Sequence, residues 1–158
     1  MEQRIFSKRC GNCGQRTMEI STVDYTTRYD LDGCKYDVHV ADLSVPKCTN
    51  CGTLSFDRDA NLRLDAEFRK QLGLLSPEEI RTNREELGLS QQQLADLIGT
   101  SIHSLARWEA REQIQQRTLD KMLRLVFFTP DARAALERNL QPVSVPTSLS
   151  FERSIDIR

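Results

Sequence analysis

No stretch of this 158-residue chain is apolar for anything near the roughly 20 residues that a membrane span requires. The first ten residues, MEQRIFSKRC, carry no apolar signal core. A cytoplasmic protein with no membrane role is the expectation. Charge of one sign is also missing. The formal net charge is −1, and residues 77–140 hold 9 basic against 10 acidic side chains. A nonspecific nucleic-acid binder, whose affinity comes from neutralising phosphates, is thereby disfavoured. A specific binder that gathers a few arginines on one helix face is not. Histidine is scarce, at two residues, and neither lies at metal-ligand spacing from the cysteines.

Cysteine is present in a pattern. Cys10-Gly-Asn-Cys13-Gly14 and Cys48-Thr-Asn-Cys51-Gly52 are near copies. Five cysteines in a reducing compartment point to metal ligation rather than disulfides. Each Cys-x-x-Cys turns two thiolates toward one point, and the glycine that follows relieves the backbone where positive φ is needed. Four sulfur ligands suit a closed tetrahedral zinc site with a structural role. A catalytic metal would need an open position, and a redox pair would begin a helix in a βαβ unit. Neither pattern is visible.

The insert between the pairs folds back on itself. Asp32-Gly33 signals a two-residue type I′ turn. That turn sets Asp30 against Lys35, Arg28 against Asp37, Tyr29 against Tyr36, Thr27 against Val38 and Tyr25 against Val40. Opposite charges meet, and one face is aromatic and β-branched. Cys34 falls on that face and is expected as a buried free thiol. His39 falls on the solvent face. Residues 56–75 then read as a helix with Leu64, Phe68, Leu72 and Leu75 in one stripe, packed on the hairpin and stopped near Gly73.

Residues 76–140 are punctuated as five helices. Ser76-Pro77-Glu78-Glu79 and Ser90 with Gln93 are capping boxes, with Leu75/Ile80 and Leu89/Leu94 as staples. Gly88 and Gly99 are stops, and Ser101 caps a third helix carrying Leu105 and Trp108 inward. A fourth helix, about 117–128, buries Leu119, Met122, Leu123 and Val126. A fifth, opened by Thr129-Pro130, carries Ala134, Ala135, Leu136 and Leu140. Residues 141–158 form a tail with Pro142 and Pro146 and little periodicity.

Two short helices across a glycine turn describe a helix-turn-helix. The stretch GLSQQQLADLIGTSIHSLARWE closely resembles the phage-repressor-like (Xre/Cro) family over about residues 76–128. The resemblance implies that Ile102, His103 and Arg107 reach base edges in the major groove. It also implies that Gln91 and Ser101 position phosphates, and Arg111 is placed to reach the backbone. A solvated Arg107, or one paired with Glu109, is the competing reading.

The expected class is α+β, with a four-cysteine zinc ribbon plus hairpin and helix over 1–75, a helix-turn-helix domain over 76–140 and a tail over 141–158. This order of modules resembles the MqsA/YgiT family of zinc-finger antitoxins. The resemblance implies no enzymatic activity. It implies a homodimer that represses its own palindromic operator and a ribbon that masks a toxin, often an RNase. Family members often carry asparagine where His103 stands, which leaves base preference open. A stand-alone zinc-containing regulator without a toxin is the alternative.

Overall fold

The computed structural model describes residues 5–6 and 9–139. Leu140 and the tail at 141–158 lie outside them. The first unit is a long hairpin of β2 (Met18–Leu31) and β3 (Cys34–Cys48). A two-residue strand, β1 (Ile5–Phe6), pairs with the start of β2 and completes an antiparallel sheet ordered β1-β2-β3. Asp32 and Gly33 both adopt positive φ, 55° and 74°, as a type I′ turn demands. All five cross-strand pairs expected from that turn are present, Tyr25↔Val40 through Asp30↔Lys35.

The register then shifts by one between Val23 and Tyr25. The cause lies in the side chains. Val38 and Val40 face the core at even positions, whereas Leu43 and Val45 face it at odd positions. In an uninterrupted strand these pairs would point to opposite faces. A bulge at Asp42 (φ 53°) corrects the parity, and the Asp24 carboxylate accepts from the Asp42 amide at 3.2 Å. The shift also brings Cys48 opposite Met18.

Helix α1 (Arg58–Leu72) covers the apolar face. Asp57 caps its start by accepting from the Ala60 amide, and Gly73 ends it at φ 63°. Phe68 is buried and stacks on Tyr29 with centroids 4.3 Å apart, while Tyr36 tilts against it at 5.7 Å. The Tyr29 hydroxyl donates to Asp65 at 2.7 Å. Burial and that carboxylate push the phenol well above its ordinary value. Two sequence expectations are corrected here. Leu75 does not join the α1 stripe, because the helix stops at Gly73 and Leu75 packs in the second core. Cys34 is exposed, because it sits at the mouth of the turn, outside the buried cluster that Phe68 anchors.

Five helices follow: α2 (Pro77–Glu86), α3 (Gln91–Ile98), α4 (Ile102–Glu109), α5 (Arg117–Phe128) and α6 (Pro130–Asn139). Both capping boxes are formed. Their core holds Ile80, Leu94, Leu97, Ile98, Leu105, Trp108, Leu123, Val126 and Phe127, with Leu119, Met122 and Leu136 packed against it. With α1, the described residues comprise six helices and a small sheet, an α+β fold.

Because Phe68 packs against Tyr29 and Tyr36, Phe68→Ala should destabilise the ribbon by about 3–5 kcal/mol. Urea unfolding followed by tyrosine fluorescence checks this.

Candidate metal centre and exposed helix edge

The two cysteine knuckles are superimposable in their hydrogen bonding. The Gly14 amide donates to the Cys10 carbonyl (2.9 Å) and the Gly52 amide to that of Cys48 (2.8 Å). The Cys10 amide donates to the Gln15 carbonyl (2.8 Å) and the Cys48 amide to that of Thr53 (2.9 Å). Gly14 and Gly52 take φ 71° and 74°, where a Cβ would be strained. The hairpin lays one knuckle over the other. The four Sγ atoms of Cys10, Cys13, Cys48 and Cys51 lie within 4.8 Å of one another. Cys10–Cys51 and Cys13–Cys48 are each separated by 3.6 Å. Four sulfurs about 2.3 Å from a central tetrahedral ion would stand about 3.8 Å apart, so this cluster fits a four-coordinate metal.

The surroundings favour thiolate at two of the four, Cys51 and Cys48, whereas Cys13 is raised. The Thr53 hydroxyl, 3.2 Å from Cys51 Sγ, and the Thr53 amide bring that thiol down to about 6. The Thr17 hydroxyl, 3.2 Å from Cys48 Sγ, lowers Cys48 in the same way, helped by the Cys51 amide. Asn12 adds a weak donor to Cys51 Sγ at 3.8 Å. These three side chains, close in sequence to the ligands, carry no spacing signal that would have singled them out.

The second candidate surface is the edge of α4. Ser101 caps the helix by accepting from the Ser104 amide. Leu105 and Trp108 are buried, whereas His103 and Arg107 are exposed and Ile102 is half-buried. Arg107 has no carboxylate partner among the described residues. Glu109, the nearest acid in sequence, is otherwise engaged. It is 4% exposed and takes Arg84 in a fork, Nε to Oε1 at 2.7 Å and Nη2 to Oε2 at 3.0 Å. Gln91 Nε2 donates to the same carboxylate at 2.9 Å, and Arg81 lies 3.7 Å away. Burial works to raise the Glu109 carboxyl. The Arg84 and Gln91 bonds outweigh it and hold the group below its ordinary value.

The remaining predicted contact residues are placed differently. The Gln91 side-chain amide is turned inward onto Glu109. Arg111 is ion-paired with Glu78 and must exchange that pair to reach another anion. The pairing of Glu109 with Arg84 carries no signal in the sequence. Their spacing of 25 residues across two helices has no local periodicity to mark it.

A family model for the antitoxin component of the bacterial toxin-antitoxin system, MqsA, matches residues 8–136. The chain belongs to the MqsA antitoxin family. That span begins just before the first knuckle and ends within α6, so it covers the metal cluster and the α4 edge together. Membership assigns it the general role of an antitoxin in a toxin-antitoxin system. Among curated proteins, none matches the chain. No helix among the described residues is long and apolar enough to cross a membrane.

Two expectations follow for this MqsA-type antitoxin. Serine at any of Cys10, Cys13, Cys48 or Cys51 should remove bound metal, while Cys34→Ser should leave one equivalent per chain, as measured by elemental analysis. The Glu109 contribution to stability should be fully present above its ordinary value near 4.5 and be lost as pH falls through its lower folded value. Urea midpoints measured from pH 6 to pH 3 should therefore fall more steeply in the wild type than in Glu109→Gln.

Proposed function

We propose that this chain is a sequence-specific DNA-binding repressor and the antitoxin of a type II pair. In this reading it acts in the cytoplasm, catalyses nothing, binds its operator through α3 and α4 as a helix-turn-helix, and masks its toxin, an RNase, with the ribbon. The observation that carries the DNA-binding reading is the division of labour on α4. Glu109 is buried and anchored, and Arg107, half a turn away, is exposed with no carboxylate to neutralise it. An unpaired guanidinium on a rigid helix can grip guanine O6 and N7 with two parallel bonds. His103 and Ile102, on the same edge, supply one donor and one apolar contact, the latter suited to a thymine methyl. The α4 start at Ser101 supports phosphate contact through the free amides of a helix N-terminus.

A domain with nearly balanced charge gains little from phosphate neutralisation alone. Two copies on a palindrome would supply the missing affinity, with their α4 helices about 34 Å apart. Leu125 (44% exposed) and Phe128 (58%), one turn apart on α5, support self-association. At the other end the donor set is all sulfur and closed, which suits zinc. Such an ion would be held by Cys10, Cys13, Cys48 and Cys51 and would staple the two ends of the insert. It leaves no ligand position for chemistry.

Arg107→Ala tests the reading. Operator affinity in a gel-shift titration should fall roughly tenfold to a hundredfold, with metal content unchanged. Unchanged affinity would overturn the assignment of α4. Co-expression with the neighbouring small gene product tests the toxin separately. A stoichiometric complex supports it, and its absence favours a stand-alone regulator.

A further inference from the structure

The hairpin turn of the ribbon reaches the helical half. Asp32 Oδ2 accepts from the backbone amide of Arg117 at 2.9 Å. Arg117 is the first residue of α5, and the residue before it, Gln116, forms no capping hydrogen bond of its own. A helix start leaves its first amides without partners inside the helix. Here a carboxylate from a turn 85 residues earlier in the chain satisfies one of them, at the positive end of the helix dipole. Arg117 returns a second bond, Nη1 to the Tyr36 hydroxyl at 3.1 Å.

This contact is the last in a series. The loop at 110–116 joins the end of α4 to the start of α5. Arg69 of α1 donates to the Gln113 carbonyl at 3.1 Å. Ile114 packs into the ribbon's own core. Gln115 is fully buried and donates to the Leu75 carbonyl at 2.6 Å. The chain that leaves the DNA-reading helix is therefore clamped by the ribbon half at Gln113, Ile114 and Arg117.

We infer that Asp32 is a positioning residue for DNA recognition: it caps α5 from the ribbon and so fixes the loop that holds the C-terminal end of α4. This rests on the DNA-binding role of α4. It ties the turn of the ribbon to the operator-binding face.

Two substitutions isolate the contact from opposite sides. Asp32→Gly keeps the positive φ of the turn and removes the carboxylate. Arg117→Pro removes the amide hydrogen at a first helical position where proline is tolerated, and Gln116 already has the extended backbone (φ −65°, ψ 147°) that a following proline requires. Each should lower operator affinity roughly threefold to tenfold at unchanged metal content, and the double variant should lose no more than Arg117→Pro alone, which also removes the Tyr36 bond. Asp32→Asn, which tolerates the turn and still offers an acceptor, should bind operator like the wild type. In the free chain, Asp32→Gly should speed hydrogen exchange at the backbone amides of 115–118. Wild-type affinity in both single variants, or additive losses in the double, would overturn the inference. If no variant and no wild type binds the operator, the DNA reading fails, and the exchange rates alone decide whether the cap exists.

Discussion

The buried carboxylate of Glu109 is the point on which the exposed edge of α4 depends. It takes both arms of Arg84 from α2 and the amide of Gln91 from α3, so three helices meet at one charge. Removing one partner of such a buried pair leaves an uncompensated charge and costs about 3–5 kcal/mol. The bond network has a second effect. It commits the acid closest to Arg107 in sequence, so the Arg107–Glu109 pair that the sequence allowed does not form, and Arg107 stands exposed to solvent.

The two halves are joined by more than a linker. Leu75 donates its amide to Asp120 at 2.7 Å and Gln115 takes its carbonyl, so the segment between α1 and α2 is bonded at both polar groups. Arg124 bridges Asp120 and the Gly73 carbonyl at 2.8 Å and 2.6 Å. These polar bonds lie between the ribbon core around Phe68 and the helical core around Leu105. The ribbon and the helical unit thus share a bonded seam.

Much of this was legible in the residues. The hairpin register followed from Asp32-Gly33 and the charge pairs Arg28–Asp37 and Asp30–Lys35, because a tight turn fixes pairing directly. Both capping boxes were readable from Ser76/Glu79 and Ser90/Gln93, because caps act over three residues. The metal cluster was readable because Cys-x-x-Cys is a local geometry. What escaped was non-local. The bulge at Asp42 is written in the parity change from Val40 to Leu43, but only the position of α1 shows which face must be buried. The Arg84–Glu109 pair and the Asp32–Arg117 cap join residues 25 and 85 positions apart. Leu75 was assigned to the wrong core because a helical stripe continues on paper past Gly73, where the backbone turns away.

If the exposed edge of α4 reads DNA, the rest of the helix serves to hold it in place. Amide chemical-shift mapping of the labelled chain, titrated with a fragment of its own promoter, tests this most directly. The largest changes are expected at Ile102, His103 and Arg107 and at the α3 start, with the strands of the ribbon little changed. Changes concentrated on the ribbon, with α4 silent, would contradict that reading.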